Sequence, residues 1–268
     1  MNKIGVLMLA ALAVVSGTRA QDVSTEQIIV RLSQPGQPGK LAIKHEKGSI
    51  SVLGYEGQEV VVTARLRGQP PAADASAPKL KRIPVGEIDL AAEEFNNTVT
   101  VTTNSQDKTL DLDVRVPRDF SLKLSTVHNG RVEVRNVNGE FDISNTNGEI
   151  LLDRVSGSAL LNTFDGHITA RFLEVTPDVP MAFSTVYGKI DVSLPPDVRL
   201  VAKMKTTNGR VYSDFDMRLE RRKIRRDARP TGVNRLELEE WTYARINGGG
   251  PEILFTSFDG NIYLRKIR

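Results

Sequence analysis

"STVHNGRVEVRNVNGEFDISNTNGEI", from Ser125 to Ile150, carries a glycine at every ninth position. The spacing continues further along the chain, and its glycines are Gly130, Gly139, Gly148, Gly157 and Gly166. A calcium-binding nonapeptide roll, a meander of β-hairpins and a solenoid of stacked β-strands could each produce this period. The residues around the glycines distinguish these structures.

Apolar side chains follow the glycines at a fixed distance. The residues two and four positions after a glycine are Val132 and Val134, Phe141 and Ile143, Ile150 and Leu152, Ala159 and Leu161, Ile168 and Ala170, Ile190 and Val192, and Ile262 and Leu264. Gly209 departs from the rule, because Val211 is followed by Ser213. Since alternate side chains of a strand point to one face, each glycine is predicted to begin a strand with one apolar face.

Small polar residues precede only every second glycine of the period. Four positions upstream stand Thr126, Ser144, Asn162, Ser184 and Thr256, and three positions upstream stand Asn145, Thr163, Thr185, Thr206 and Ser257. A hairpin meander explains the Asn-Gly turns but not this alternation. The pattern favours an all-β fold, a β-helix-like solenoid of stacked short strands, with polar residues forming hydrogen-bonded ladders between coils.

Before the repeat, residues 21–120 contain short alternating runs such as IIVRL, EVVVTARL and TVTVTT. These runs predict a strand-rich N-terminal portion, which leads into the solenoid of residues 121–268 or forms its first coils. A Pro/Ala-rich stretch at residues 67–79 has no periodicity and is expected to be a flexible loop.

The chain opens with Lys3, an apolar run from Ile4 to Val15, and small residues up to Ala20. This order predicts a secretory signal peptide at residues 1–20, because a membrane-spanning helix needs ~20 apolar residues. We therefore expect an exported protein of the periplasm, the cell surface or the medium, with no transmembrane segment after signal removal. Loss of Lys3 and Arg19 reduces the basic residues from 36 to 34, against 33 acidic residues, so net charge indicates no partner.

Three segments carry a resemblance to a known family: VRVPRDFSLKLSTVHNGRVEVRNVNGEFDISNTNGEI, STVYGKIDVSLPPDVRLVAKMKTTNGRVYSD and INGGGPEILFTSFDGNIYLRKIR. Together they resemble the adhesin-like β-strand-repeat proteins of bacterial envelopes, closely from Asp111 to the C-terminus and more loosely before it. The resemblance implies an all-β, β-helix-like solenoid and an exported or surface-facing protein. It supplies no catalytic residue.

The repeat contains no convincing metal or catalytic motif. A calcium roll needs an aspartate at a fixed place in each repeat, but the position four residues after each glycine of the period is apolar, which excludes it. The chain has no cysteine, and no metal or other cofactor is expected. His45 and His128 have no partner at ligand spacing.

Polysaccharide cleavage requires two or three converging carboxylates. The candidates are Asp165, Asp191 and Asp259, with His167. However, Asp165 and Asp259 stand directly before a turn glycine, where other repeats have Asn, and Asp favours turns for the same reason.

Residues 216–232, DMRLERRKIRRDARPTG, interrupt the repeat and are expected to form a projecting loop or a short helix. The basic residues of this insertion are Arg218, Arg221, Arg222, Lys223, Arg225, Arg226 and Arg229. They are candidates for binding an anionic polymer or phospholipid headgroups. Nucleic acid is not expected, because no aromatic residue interleaves with the arginines. A solvated loop, or pairing with acids such as Glu237, Glu239 and Glu240, is the simpler explanation of the charges.

The sequence thus predicts a non-enzymatic, exported, adhesin-like binding scaffold, whose partner is an unknown envelope component or an anionic surface polymer. One alternative is a polysaccharide-active enzyme on a parallel β-helix. A second is a structural or stress-related envelope component.

Overall fold

The computed structural model of the protein describes residues 25–67, 88–104, 108–128, 130–220 and 241–267. The predicted signal peptide at residues 1–20 and all but the first residue of the predicted loop at 67–79 lie outside these ranges. Within the described ranges the regular structure is β-strand without helix, so they contain no helix that could cross a membrane. The all-β prediction is confirmed.

The strands are β1 (Thr25–Arg31), β2 (Gly39–Lys47), β3 (Ile50–Tyr55), β4 (Glu59–Arg67), β5 (Leu90–Phe95), β6 (Thr98–Thr103), β7 (Thr109–Pro117), β8 (Phe120–His128), β9 (Val132–Arg135), β10 (Asn138–Asn147), β11 (Ile150–Asp165), β12 (Ile168–Val175), β13 (Met181–Tyr187), β14 (Ile190–Leu194), β15 (Leu200–Thr206), β16 (Val211–Ser213), β17 (Met217–Glu220), β18 (Thr242–Ile246), β19 (Glu252–Asp259) and β20 (Ile262–Lys266).

Most strands pair in parallel within two ladders. Ladder 1 has the spatial order β6, β2, β8, β10, the second half of β11, β13, β19 and β15. Ladder 2 has the order β7, β3, β9, the first half of β11, β12, β14, β20 and β16. Because the chain alternates between the ladders, one strand from each makes a coil, and the coils stack into a solenoid-like fold.

The stacking order departs from the sequence order at both ends. The coil β2–β3 lies between β6–β7 and β8–β9, and the coil β19–β20 lies between β13–β14 and β15–β16. Antiparallel strands flank the stack: β5 on β6, β4 and β1 beside β7, and β18 and β17 beside β15. The strand orientation is therefore mixed, whereas a simple solenoid would be sequential and parallel throughout.

An apolar core fills the space between the ladders. The residues two positions after the turn glycines form one fully buried row, which contains Ile50, Val132, Ile150, Ile168, Ile190 and Ile262. On ladder 1, the rings of Phe183 and Phe255 stack with their centroids 5.2 Å apart. The row includes Ile50 of the N-terminal portion, so β2 and β3 share the core of the later coils.

Turn glycines allow neighbouring coils to touch backbone to backbone. A Cβ atom added to Gly148 would lie 1.9 Å from the carbonyl oxygen of Gly130, and one added to Gly166 would lie 2.0 Å from that of Gly148. At the opposite corner of the coil, a Cβ on Gly157 would lie 1.9 Å from the oxygen of Gly139. The nine-residue period therefore marks two corners, at each of which only glycine fits.

A buried polar row hydrogen-bonds each coil to its neighbour. Thr163 Oγ1 donates to the Gly148 carbonyl at 3.0 Å, and Thr185 Oγ1 donates to that of Gly166 at 2.9 Å. The same contact to a glycine carbonyl is made by Thr126, Asn145, Thr206 and Ser257. The predicted ladder is present, and its acceptors are the turn glycines.

His45 occupies this polar row in the coil β2–β3, three residues before Gly48. Its Nε2 lies 2.6 Å from the Leu110 carbonyl oxygen, and its Nδ1 lies 2.9 Å from Thr103 Oγ1. Burial lowers the pKa of His45 below its ordinary value of 6.5. Sequence reasoning found no partner for His45. A signal was present, because Ile50 and Val52 follow Gly48 at the same spacing at which apolar residues follow the other turn glycines.

Replacing Gly166 by Ala tests the contact between coils. The backbone of Gly166 lies outside the left-handed region, so the effect comes from the clash of the new Cβ with Gly148. We expect the free energy of unfolding to fall by about 3 kcal/mol in urea denaturation. Gly36→Ala is the control, because Gly36 has φ of 82° and open space around it. It should cost only about 1 kcal/mol, and equal losses would contradict the account.

The burial of His45 predicts an acid-sensitive stability. The unfolded chain takes up a proton near pH 6.5, whereas the folded chain does so at lower pH. The free energy of unfolding should therefore fall as pH drops below about 6.5, until the folded-state pKa is passed. Denaturation at pH 8 and pH 5 should show a larger loss for the wild type than for His45→Thr. The exposed His128 is the control: His128→Thr should behave as wild type.

Candidate functional site

The outward face of ladder 1 changes its chemistry along the stack. In β8 and β10 it is charged, and Lys123 Nζ lies 2.9 Å from Asp142. Along residues 160–164 of β11, 182–186 of β13 and 254–258 of β19, the outward side chains are uncharged instead. Three rows cross these strands in register: Leu160, Ala182 and Leu254; Asn162, Ser184 and Thr256; and Phe164, Val186 and Phe258. We call these nine residues, together with Tyr187, the aromatic platform.

Three aromatic side chains of the platform contact one another at the surface. Phe164, Tyr187 and Phe258 are 52%, 46% and 49% exposed. The ring centroid of Tyr187 lies 5.6 Å from that of Phe164 and 6.4 Å from that of Phe258, both edge to face. Leu160, on the same face, is 54% exposed. Contiguous exposed apolar surface of this kind marks an interaction site more often than an isolated exposed residue does.

The candidate catalytic carboxylates lie on two different ladders. Asp165 and Asp259 are exposed at the ends of β11 and β19, each in register with Tyr187 between them. Asp191 lies in ladder 2, where its carboxylate accepts a hydrogen bond from Arg265 Nε at 2.7 Å. This bond raises the pKa of Arg265.

His167 has a structural contact, since its Nδ1 accepts a hydrogen bond from the Lys189 backbone at 3.2 Å. Within the described ranges, no group of three His, Cys, Asp or Glu residues could hold a metal ion.

A basic edge adjoins the platform. Lys203 of β15 pairs in register with Leu254 of the platform. The Nζ atoms of Lys203 and Lys205 lie 4.8 Å and 5.7 Å from the ring centroid of Trp241, the only tryptophan of the chain. Lys203 Nζ also lies 3.5 Å from the Glu252 carboxylate.

The predicted insertion begins beside this basic edge. Its first residues, Met217–Glu220, form strand β17, which corrects the prediction of a loop or helix at this point. Arg218 lies directly opposite Arg245 of β18, and Arg245 Nε donates to Glu220 at 2.7 Å. Of the predicted anion-binding residues, Arg218 is the one described. Six lie outside the described residues: Arg221, Arg222, Lys223, Arg225, Arg226 and Arg229.

Sequence reasoning missed the platform, although a signal was present. The stretches TFDG and SFDG place Phe164 and Phe258 two residues before a turn glycine, in the outward phase of their strands. The aspartates of those stretches, Asp165 and Asp259, were predicted as candidates, and the phenylalanines beside them were not. Tyr187 precedes Gly188 by one residue rather than two, so the spacing in the sequence does not align it with the phenylalanines. Its contact with both of them depends on how the coils stack.

Comparison with known proteins gives a family. Residues 17–237 match the family described as Toastrack DUF4097, which confirms the family resemblance drawn from the repeats. No curated protein matches this chain.

Among solved structures, the chain is similar to a candidate cell adhesion protein from Clostridium sporogenes, with 11% identity, a TM-score of 0.47, and coverage of 91% of this chain and 100% of that chain. It is also similar to a candidate adhesin from Bacteroides fragilis, with 11% identity, a TM-score of 0.32, and coverage of 92% and 98%. A candidate lipid-binding protein from Parabacteroides distasonis has 6% identity, a TM-score of 0.26, and coverage of 91% and 97%.

Two phenylalanines of β19 test whether the platform is surface rather than core. Phe255 points inward and is fully buried, whereas Phe258 points outward. We expect Phe255→Ala to lower the free energy of unfolding by about 3–5 kcal/mol. Phe258→Ala should lower it by about 1 kcal/mol or less. Urea denaturation of both variants measures the difference, and comparable losses would mean that Phe258 belongs to the packing of the fold.

Proposed function

This chain belongs to the Toastrack DUF4097 family, and we propose that it is a non-enzymatic, exported binding scaffold of the cell envelope with an adhesin-like role. Stacked short strands provide a rigid solenoid, and one outward face carries the binding surface. The proposed partner is an anionic surface polymer, held by the basic residues of the insertion. Export is supported by the signal-like residues 1–20.

The observation that carries this proposal is the concentration of positive charge beside the exposed platform. Lys203, which also pairs with Glu252, and Lys205 face Trp241 there, and Arg218 stands opposite Arg245 in the strands from which the insertion departs. Arg245 is paired with Glu220, so among the described residues Arg218 contributes the positive charge of this strand pair that has no carboxylate partner. The insertion adds six basic residues between positions 221 and 229. Together they give a local field that attracts polyanions.

The arrangement of carboxylates supports a binding role over polysaccharide cleavage. General acid and base groups must converge on one bond, and the acid is tuned by burial or by a neighbouring charge. Here Asp165 and Asp259 are exposed at turns with Tyr187 between them, and Asp191 is engaged by Arg265 on the other ladder. The exposed platform likewise favours a binding role over a purely structural one.

Removing the basic residues of the insertion tests the proposed partner. The test variant changes Arg218, Arg221, Arg222, Lys223, Arg225, Arg226 and Arg229 to Ser. We expect it to lose retention on immobilised polygalacturonate at low salt, because each basic residue near an anionic surface contributes about 1 kcal/mol. Retention of the wild type should fall steeply with added salt.

A smaller matched pair of variants controls for total charge. The first changes Arg221, Arg222 and Arg225 to Ser, and the second changes Lys40 and Lys44 of β2 and Lys123 of β8 to Ser. The first should elute at lower salt than wild type and the second close to wild type. Unchanged retention on polygalacturonate of the variant with all seven changes would contradict the proposal.

A further inference from the structure

We infer that the aromatic platform binds an extended, equatorially linked saccharide chain, which lies across β11, β13 and β19 along the axis of the stack. This inference rests on the proposed function, since it names the class of polymer that the scaffold recognises. Any acidic substituent of the chain would then reach toward the basic edge. The sugar rings themselves would lie on the platform.

The aromatic rings provide the contact surface for the sugar rings. An aromatic ring has a negative face and a positive edge, so its face attracts the C–H groups of a pyranose. Phe164, Tyr187 and Phe258 come from three successive strands of ladder 1 and form one exposed cluster. The Tyr187 ring stands at 81° and 84° to the two phenylalanine rings, so the faces of Phe164 and Phe258 contact the saccharide chain and Tyr187 holds them in place. Leu160 extends the apolar surface within the same face.

Hydroxyl partners lie in the adjacent row. Asn162, Ser184 and Thr256 face outward in register on the same three strands. The carboxylates of Asp165 and Asp259 flank Tyr187 at the ends of those strands. Within the part of the chain that the structure describes, these five side chains have no hydrogen-bond partner. They are therefore free to bind the hydroxyl groups of a saccharide, as donors and acceptors.

The strand spacing suits an extended chain. Neighbouring strands lie about 4.8 Å apart, so Phe164 and Phe258, two strands apart in the same row, are about 10 Å apart along the stack. This separation is close to the length of one disaccharide in an extended chain. The pairings of β11 with β13 and of β13 with β19 are in continuous register, so the rows run straight across the platform.

Charge favours a saccharide over an anionic lipid surface. An amphipathic surface that inserts into such a membrane combines apolar side chains with Lys or Arg. The platform instead has Asp165 and Asp259 beside its aromatic rings, and carboxylates repel anionic headgroups. The lysines of β15 that pair in register with the platform are already engaged, Lys203 by Trp241 and Glu252 and Lys205 by Trp241.

The test uses the full mature chain with cellohexaose and chitohexaose as probes, in calorimetric titrations at low and high salt. Trp241 fluorescence follows the titration from the adjacent basic edge. We expect at least one probe to bind equally well at both salt concentrations. Tyr187→Ala and Phe258→Ala should each weaken binding about tenfold. Phe95→Ala is the matched control, because Phe95 is 77% exposed but lies in β5 at the other end of the stack.

Three outcomes would overturn the inference. In the first, neither hexasaccharide binds to the protein. In the second, Phe95→Ala weakens hexasaccharide binding as much as Phe258→Ala does. In the third, phosphatidylglycerol vesicles bind in a Phe258-dependent way and the hexasaccharides do not. The third outcome would assign the platform to a lipid surface.

Polygalacturonate retention separates this inference from the proposed function. Retention that persists without any hexasaccharide binding refutes the platform inference and leaves the anion-binding proposal intact. Hexasaccharide binding without retention on polygalacturonate refutes the anion-binding proposal and leaves the platform inference intact.

Discussion

The fold depends on a close contact between backbones at the corners of the stack. Most turn glycines lie so near the carbonyl oxygen of the glycine in the adjacent coil that a Cβ atom, as at Gly148, would be 1.9 Å away. This contact sets the distance between coils, and the buried polar row ties the same carbonyls to side chains such as Thr163. Because the spacing and register are set at the corners, inward rows form a continuous core and outward rows form straight columns.

In these columns the inward side chains determine the stability of the fold, and the outward side chains are available for binding. Inward positions such as Ile168 and Phe255 are fully buried, whereas outward positions on the same strands can change with little effect on packing. The charged strands of ladder 1 and its aromatic strands share the same parallel pairing and an apolar inward face, while their outward side chains differ in chemistry. A surface for a partner can therefore be built on this scaffold without a cavity or a catalytic cluster. The turn aspartates Asp165 and Asp259 border this platform, each in register with Tyr187.

Local patterns were sufficient to predict the strands, the inward face and the polar row, because each depends on residues close in sequence. The order of the coils could not be predicted, since Gly188 and Gly260 have equivalent surroundings and either coil could stack on either neighbour. The platform was missed for the same reason, because Tyr187 meets Phe258 only through that order. Strand β17 was missed because charges obscured the alternation of Met217 and Leu219.

The central claim is that the last strands of the chain are held inside the stack with a parallel neighbour on each side, where they complete the platform. Amide hydrogen exchange under native conditions tests this claim directly, because strands paired on both edges open only with the surrounding structure. The account predicts that β19 and β20 exchange as slowly as β13 and β14, although they lie near the C-terminus. Fast exchange of β19 and β20, comparable to that of the three-residue strand β16 at the end of the stack, would contradict it.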